Sequence, residues 1–198
     1  TRYRSCVARA NCLAQDRPDI LYCVKELCRR MSAPTEDDLR HLKRLAKFLV
    51  GRKRLVQRFD YQPVASHLSV FADSDFAGCR TTRKSTSGGC IILGTHFIRG
   101  WSKTQSTIAL SSAEAELLGI VRATCEGLGL ISTAKDLGMP LTATLYTDSS
   151  AALSITGRAG AGKVRHLDTN PLGTATGSPR RHDFRQGQWV PQPGRYLY

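Results

Sequence analysis

Acidic side chains stand where segments predicted to be strands end, and their types suggest a metal site. Asp73 ends one apolar, β-prone run with Asp75 just behind it, and Asp148 ends another. A helix-like segment between the two runs carries Glu116. Carboxylate oxygens are hard ligands that suit Mg²⁺. Two such ions about 3.5–4 Å apart can activate a water and stabilise a leaving oxygen. The pattern therefore predicts that Asp73, Glu116 and Asp148 hold metal against a phosphodiester.

Two glutamates of the helix compete for this role. Glu114 and Glu116 are two positions apart, so they point to different faces of a helix. Ser111 and Glu114 fit a capping box, which gives Glu114 a structural task and leaves Glu116 as the predicted ligand. Asp148 has an alternative role as a cap of the next helix. Asp75 ranks below the other acids as a further metal ligand.

The elements that position these acids follow from hydrophobic periodicity. A helix is predicted to open at Ser111, a shorter one to span 130–137, and Gly138 to end it. A turn at 94–96 joins two strands as a hairpin. The predicted strands are 67–73, 88–93, 97–102 and 142–147. This order of elements indicates an α/β fold with a mixed sheet.

Residues 1–60 are predicted to form amphipathic helices instead. Thr35 and Asp38 resemble a capping box at the start of one of them. This part holds fifteen Lys and Arg against seven Asp and Glu. These charged residues either lie on the solvent-exposed faces of the helices or form a surface that contacts phosphates. The densest basic group is Arg52, Lys53, Arg54 and Arg58.

The composition points to a basic, intracellular partner of polyanions. The formal net charge is +13, which favours nucleic acid as the partner. The cysteines include no CxxC pair, and their apolar neighbours predict reduced, buried thiols. No continuous apolar run reaches the roughly 18 residues of a membrane span, so no membrane partner is expected. The chain opens without Met, and we expect it to be a piece of a longer protein. The cysteines predicted to be buried are Cys6, Cys12, Cys23, Cys28, Cys90 and Cys125.

Four blocks of the sequence carry a family resemblance. FADSDFAGCRTTRKSTSGG, WSKTQSTIALSSAEAELLGI, LYTDSSAAL and KVRHLDT resemble the ribonuclease H domain of copia-type LTR retrotransposon Pol polyproteins. The segment before them resembles the end of the reverse transcriptase in the same polyproteins. The resemblance covers about residues 2–170 and divides the chain into a helical part, 1–60, and a ribonuclease H-like domain, 64–170.

The resemblance implies both fold and activity. It implies a ribonuclease H-like mixed sheet with flanking helices, and hydrolysis of the RNA strand of RNA/DNA hybrids during reverse transcription. It also implies two Mg²⁺ ions, with Mn²⁺ as a substitute, held by the catalytic acids Asp73, Glu116 and Asp148. The other implied partners are the reverse transcriptase and integrase of the polyprotein. The implied location is a cytoplasmic virus-like particle or the nucleus.

A basic, hydroxyl-rich set of residues is the candidate substrate surface. A ribonuclease H-like domain would select its hybrid by contacts with 2′-hydroxyls and with the other strand. The alternative is an ordinary polar loop, and packing is the alternative for His166. The candidates are Arg83, Lys84, Ser85, Thr86, Lys103, Gln105 and His166.

Residues 171–198 depart from the family pattern. They are rich in Gly, Pro and Arg, contain one acid, Asp183, and show no periodicity. We expect a disordered tail, with the C-terminal strand, the last helix and a fourth acid missing or scrambled. A single-base frameshift near codon 171 would explain the departure. Two other functions stay open: an inactive relic that at most binds nucleic acid, and another nuclease or integrase on the same fold. The integrase acid spacing and zinc module are not found.

Overall fold

The computed structural model describes residues 2–156 and 184–186, and it divides into two compact units. One unit runs to Arg58 and the other begins at Phe59. Helices make up the first unit, and a mixed sheet with helices makes up the second.

Three α-helices and a short 3-10 turn form the first unit. They are α1 (Arg2–Leu13), the turn Pro18–Ile20, α2 (Leu21–Cys28) and α3 (Glu36–Gly51). Val7, Ile20 and Val24 are fully buried between them, and the Tyr3 hydroxyl donates to Leu27 O at 3.0 Å. The capping box predicted at the start of α3 is confirmed, because the Thr35 and Asp38 side chains each accept from the other's backbone N–H.

The second unit is built on a five-stranded sheet. Its strands are β1 (His67–Asp75), β2 (Thr86–Leu93), β3 (His96–Thr104), β4 (Thr142–Thr147) and β5 (Phe184–Gln186), in the order β3-β2-β1-β4-β5. The pairs β1/β2 and β2/β3 are antiparallel, whereas β1/β4 and β4/β5 are parallel. With its flanking helices α4 (Ser112–Asp136) and α5 (Ser150–Thr156), this sheet is the predicted ribonuclease H-like α/β fold.

Helix α4 differs from the prediction because it is continuous, without a break before residue 130. Gly127 lies within this continuous helix. Its Cα faces the sheet, where an added Cβ would lie 3.3 Å from Val70 Cγ2. Small size at this position lets the helix lie close to β1. Gly138 ends the helix with a φ of 76°, as predicted.

Helix α4 is also long and apolar enough to cross a membrane, by length and composition alone. The core helix of a globular domain passes the same test. Leu117, Ile120 and Ala123 are fully buried, and α4 packs against β1 and β2. We therefore assign it to the core of the sheet unit.

Two expectations can be compared with the structure. The C-terminal strand was expected to be missing or scrambled, and the structure has a three-residue strand in that segment, β5, which pairs with β4. Strand pairing uses backbone groups, so it needs no particular side-chain pattern. The cysteines were expected to be buried, but four of them are exposed, because apolar neighbours in sequence do not place a helical residue on the packed face. These are Cys6, Cys12, Cys23 and Cys125.

Candidate metal centre

Two neighbouring parallel strands bring Asp73 and Asp148 to the same edge of the sheet. In the β1/β4 ladder, Phe71 stands opposite Tyr146. Asp73 and Asp148 each lie two residues beyond that pair, so the register sets them side by side. Both are exposed, because the strands deliver them past the end of the core.

Helix α4 supplies the third carboxylate, from Glu116. One turn further along, Gly119 is buried against the end of β1. An added Cβ there would lie 3.5 Å from Ser74 Cβ and 3.6 Å from Asp73 O. This close approach brings the helix to the strand end. One ligand oxygen each of Asp73, Glu116 and Asp148 lies within 4.8 Å of the others.

The electrostatics of the group favour a bound cation. Burial, and then the charges of Asp73 and Asp148, raise the pKa of Glu116 from 4.5 to about 7. The Asp73 carboxylate also accepts a hydrogen bond from Ser74 N at 2.8 Å, which holds one of its oxygens in place. A divalent ion bound between these three carboxylates would offset their mutual repulsion.

The donor set fits such an ion. Oxygen ligands lie about 2.0–2.1 Å from Mg²⁺, so two ligands of one ion are at most about 4.2 Å apart. The spacing of up to 4.8 Å in the carboxylate group comes close to this limit. Small side-chain rotations would therefore close the group around an ion that prefers oxygen.

Comparison with known proteins agrees with a retroelement origin. An uncharacterised mitochondrial protein of Arabidopsis thaliana is 40% identical over 116 residues, which cover 58% of this chain and 47% of that protein. Retrovirus-related Pol polyproteins from transposons RE1 and RE2 of the same plant are 34% and 32% identical over 154 residues. The chain is therefore homologous to a segment of retrotransposon Pol polyproteins.

The match covers 77% of this chain but only 10% of either Pol polyprotein. The chain thus spans less than half the length of each of these relatives. No protein-family model matches it. Among solved structures, a ribonuclease H1 isolated from compost has a TM-score of 0.40 and 14% identity, with 55% of this chain and 72% of that one covered.

The other two acids considered for the site, Asp75 and Glu114, accept hydrogen bonds from the backbone instead. Asp75, predicted as a further ligand, is not in the carboxylate group, because its Oδ1 accepts from Thr86 N across the loop that follows β1. Glu114 is buried and its Oε2 accepts from Leu110 N at 2.7 Å. The alternative of Asp148 as a helix cap is not needed, since the Ser149 hydroxyl accepts from Ala152 N at 3.2 Å.

Some of the predicted substrate residues lie on the surface. Arg83 and Lys103 are exposed, and Arg83 adopts a φ of 58°, a left-handed conformation unusual for Arg. Lys84 is half-buried, and its Nζ donates to Ser106 O at 2.6 Å. Thr86 is half-buried in β2. These residues stay candidates for contact with phosphates.

Two of the predicted substrate contacts are wrong. Ser85 is 0% exposed and Gln105 is 8% exposed, so neither side chain can contact a ligand from solvent. The Ser85 hydroxyl instead accepts from Ala77 N at 2.9 Å and shapes the loop before β2. A polar side chain in a hydroxyl-rich segment was taken for a surface group, whereas it satisfies the backbone of a tight loop.

The remaining basic candidates are placed only in part. His166 lies outside the described residues. Arg52, Lys53 and Arg54 are exposed in the segment after α3, and the Arg52 guanidinium lies 5.6 Å from the Phe48 ring centroid. Arg58 is also exposed. Exposed cations that lie close together in the sequence are compatible with a polyanion partner.

Sequence reasoning missed the residues that support the site without carrying charge. Gly119 stands three positions after Glu116, and that spacing on one helix face was the available signal. Gln105, which directly follows β3, was predicted as a substrate contact, so its burial behind the site was missed.

Proposed function

We propose that the sheet unit is a divalent-metal-dependent ribonuclease H, which hydrolyses the RNA strand of RNA/DNA hybrids during reverse transcription of a retroelement. The observation that carries the proposal is the convergence of Asp73, Glu116 and Asp148 within 4.8 Å at one end of the sheet. The family, the mixed sheet and the net charge of +13 support it.

Asp73, Glu116 and Asp148 would hold two Mg²⁺ ions, with Mn²⁺ as a substitute. When bound, such ions supply an activated water and stabilise the leaving oxygen of the phosphodiester. These acids would present their oxygens from separate elements, and the exposed carboxylates of Asp73 and Asp148 would stay accessible to a substrate. Ser74 N keeps the Asp73 carboxylate oriented.

The exposed cations Arg83 and Lys103 would contact the phosphates of the hybrid, and 2′-hydroxyl contacts would select the RNA strand. Arg52, Lys53 and Arg54 of the helical unit are exposed and would themselves contact nucleic acid. We further propose that the chain works within the Pol polyprotein beside reverse transcriptase and integrase. The proposed location is a cytoplasmic virus-like particle or the nucleus.

The test is cleavage of a labelled RNA/DNA hybrid by the full chain with Mg²⁺ and with Mn²⁺. Asp73→Asn and Asp148→Asn should each lower the rate by more than about a hundredfold, which exceeds the usual loss on removing a group that only orients a ligand. Asp136→Asn is the matched control, because Asp136 is an exposed acid at the far end of α4.

A second candidate is an inactive relic that binds nucleic acid through its positive charge. It is favoured by the group of three acids, with no fourth acid joining them in the part of the chain that the structure describes. Binding that weakens steeply with salt, without cleavage by wild-type protein in either metal, would support the relic and contradict the ribonuclease.

A further inference from the structure

The buried amide of Gln105 links the elements that carry two of the three acids. Its Nε2 lies 2.8 Å from Ala115 O, 2.9 Å from Ser87 Oγ and 3.1 Å from Ser74 Oγ, and the two amide hydrogens are shared among these three acceptors. Ala115 precedes Glu116 in α4, and Ser74 follows Asp73 in β1. A single side chain thus connects the helix, β1 and β2 directly behind the carboxylates.

The chemistry of the partners sets which way the amide points. A backbone carbonyl can only accept, so the Gln105 atom that faces Ala115 O must be the NH₂ group. The opposite atom, Oε1, is buried and has no partner among the described residues. A buried polar atom without a partner is costly. The amide is therefore held in this orientation by what its nitrogen binds, at the expense of its oxygen.

The backbone of Gln105 is tied down as well. Its N–H donates to Ser85 O at 2.8 Å, which fixes the end of β3 against the start of β2. Ser74 N in turn donates to the Asp73 carboxylate at 2.8 Å. A continuous path of hydrogen bonds therefore runs from the Asp73 carboxylate through Ser74 and Gln105 to the first turn of α4.

We propose that Gln105 is a positioning residue for the metal centre, which sets the distance between Asp73 at the end of β1 and Glu116 in α4. It contacts neither acid directly and acts through Ser74 and Ala115. The inference rests on the proposed function, because it assumes that the carboxylates hold a divalent ion. Without the amide, apolar packing alone would set the helix against the strand, and the carboxylates would close less well around an ion.

The test measures Mn²⁺ binding to the full chain by electron paramagnetic resonance, which does not depend on cleavage. Gln105→Met keeps the length of the side chain and removes the donor. We expect its Kd for Mn²⁺ to rise about tenfold, as for other groups that orient metal ligands. The Mg²⁺ concentration for half-maximal cleavage should rise similarly, while the rate at saturating Mg²⁺ should stay near that of wild type.

Thr124→Val is the matched control. Thr124 is a buried residue of α4 whose hydroxyl donates to Ile120 O at 2.9 Å, two turns beyond Glu116. Its loss should lower the melting temperature without changing the Kd for Mn²⁺. If Gln105→Met behaves in the same way, with lower stability and unchanged Kd, Gln105 is merely structural and the inference is overturned.

A second variant covers the case in which Gln105→Met does not fold. Ser74→Ala removes one partner of the amide in a half-buried position. It should also raise the Kd for Mn²⁺, by a smaller factor than Gln105→Met does. An unchanged Kd overturns the inference. If wild-type protein and Asp73→Asn bind Mn²⁺ equally, the metal centre itself fails, and the inference with it. If wild-type protein binds Mn²⁺ more tightly than Asp73→Asn does, but Gln105→Met and Ser74→Ala keep the wild-type Kd, only the positioning role is overturned.

Discussion

Metal binding by this chain should depend on pH through Glu116. Burial and the charges of Asp73 and Asp148 raise the pKa of Glu116 to about 7. A carboxylic acid must lose its proton to serve as a metal ligand, so protons compete with the ion. With a pKa of 7, about a tenth of Glu116 is ionised at pH 6, about half at pH 7 and about nine tenths at pH 8.

These fractions give the expected size of the effect. The apparent Kd for Mg²⁺ should fall about tenfold between pH 6 and pH 8, and each ion bound at pH 7 should release about half a proton from Glu116. Isothermal titration calorimetry in buffers of different ionisation enthalpy measures both quantities. Glu116→Gln is the matched variant. It keeps the shape of the side chain and removes the titration, so its weaker binding should be nearly flat over this range.

Two results would refute the reasoning. A wild-type Kd that changes by less than about twofold between pH 6 and pH 8 would mean that the Glu116 proton does not compete with the ion. A Glu116→Gln variant that keeps the tenfold dependence would assign the titration to another group. In either case, the argument that burial and the neighbouring carboxylates raise the pKa of Glu116 to about 7 would fail.

Four further perturbations test the fold and the site. Because the folded-state pKa of Glu116 lies above its ordinary 4.5, metal-free protein should lose stability as pH rises from about 4.5 to 7, and urea midpoints of wild type and Glu116→Gln should show the difference. Gly89→Ala should cost about 3 kcal/mol in urea unfolding, because its Cβ would lie 2.3 Å from Phe71 O. Gly119→Ala should gain about 0.5–1 kcal/mol with Mn²⁺ affinity unchanged, since its Cβ would make only ordinary contact, whereas Gly119→Val should weaken binding. Thr35→Ala should cost about 1 kcal/mol in thermal unfolding by removing the cap of α3.

The acids and their elements could be predicted from sequence because local signals mark them. Strand periodicity placed both ends of β1 to β4 within two residues of the observed bounds, and the Ser111 cap identified where α4 begins. The same cap explained Glu114 and left Glu116 for the site, where the structure places it. Each of these inferences uses residues within a few positions of one another, where propensity and spacing carry real information.

The supporting residues could not be predicted because their roles depend on distant partners. Gln105 binds residues from β1, β2 and α4, and the nearest of these is ten positions away. Whether its amide faces inward depends on how the strands pack, which spacing along one strand does not settle. The predictions for Ser85 and for the exposed cysteines were wrong for the same reason. The sequence shows which residues are neighbours along the chain, whereas burial depends on which residues are neighbours in space.

Strand β5 shows which part of the site an altered C-terminal segment could still provide. It pairs with Leu145, Tyr146 and Thr147, the residues of β4 just before Asp148. Ladder bonds are made by the backbone, so a segment of almost any sequence can satisfy this edge and hold the strand end that delivers Asp148. Side-chain chemistry has no such tolerance, and the three residues of β5, Phe-Arg-Gln, include no acid. A frameshift near codon 171 would therefore leave the sheet intact more readily than it would leave a fourth metal ligand in place. Replacing the tail by the shifted reading frame should raise the cleavage rate with little change in melting temperature. If the rate stays the same, a fourth acid is not what limits this domain.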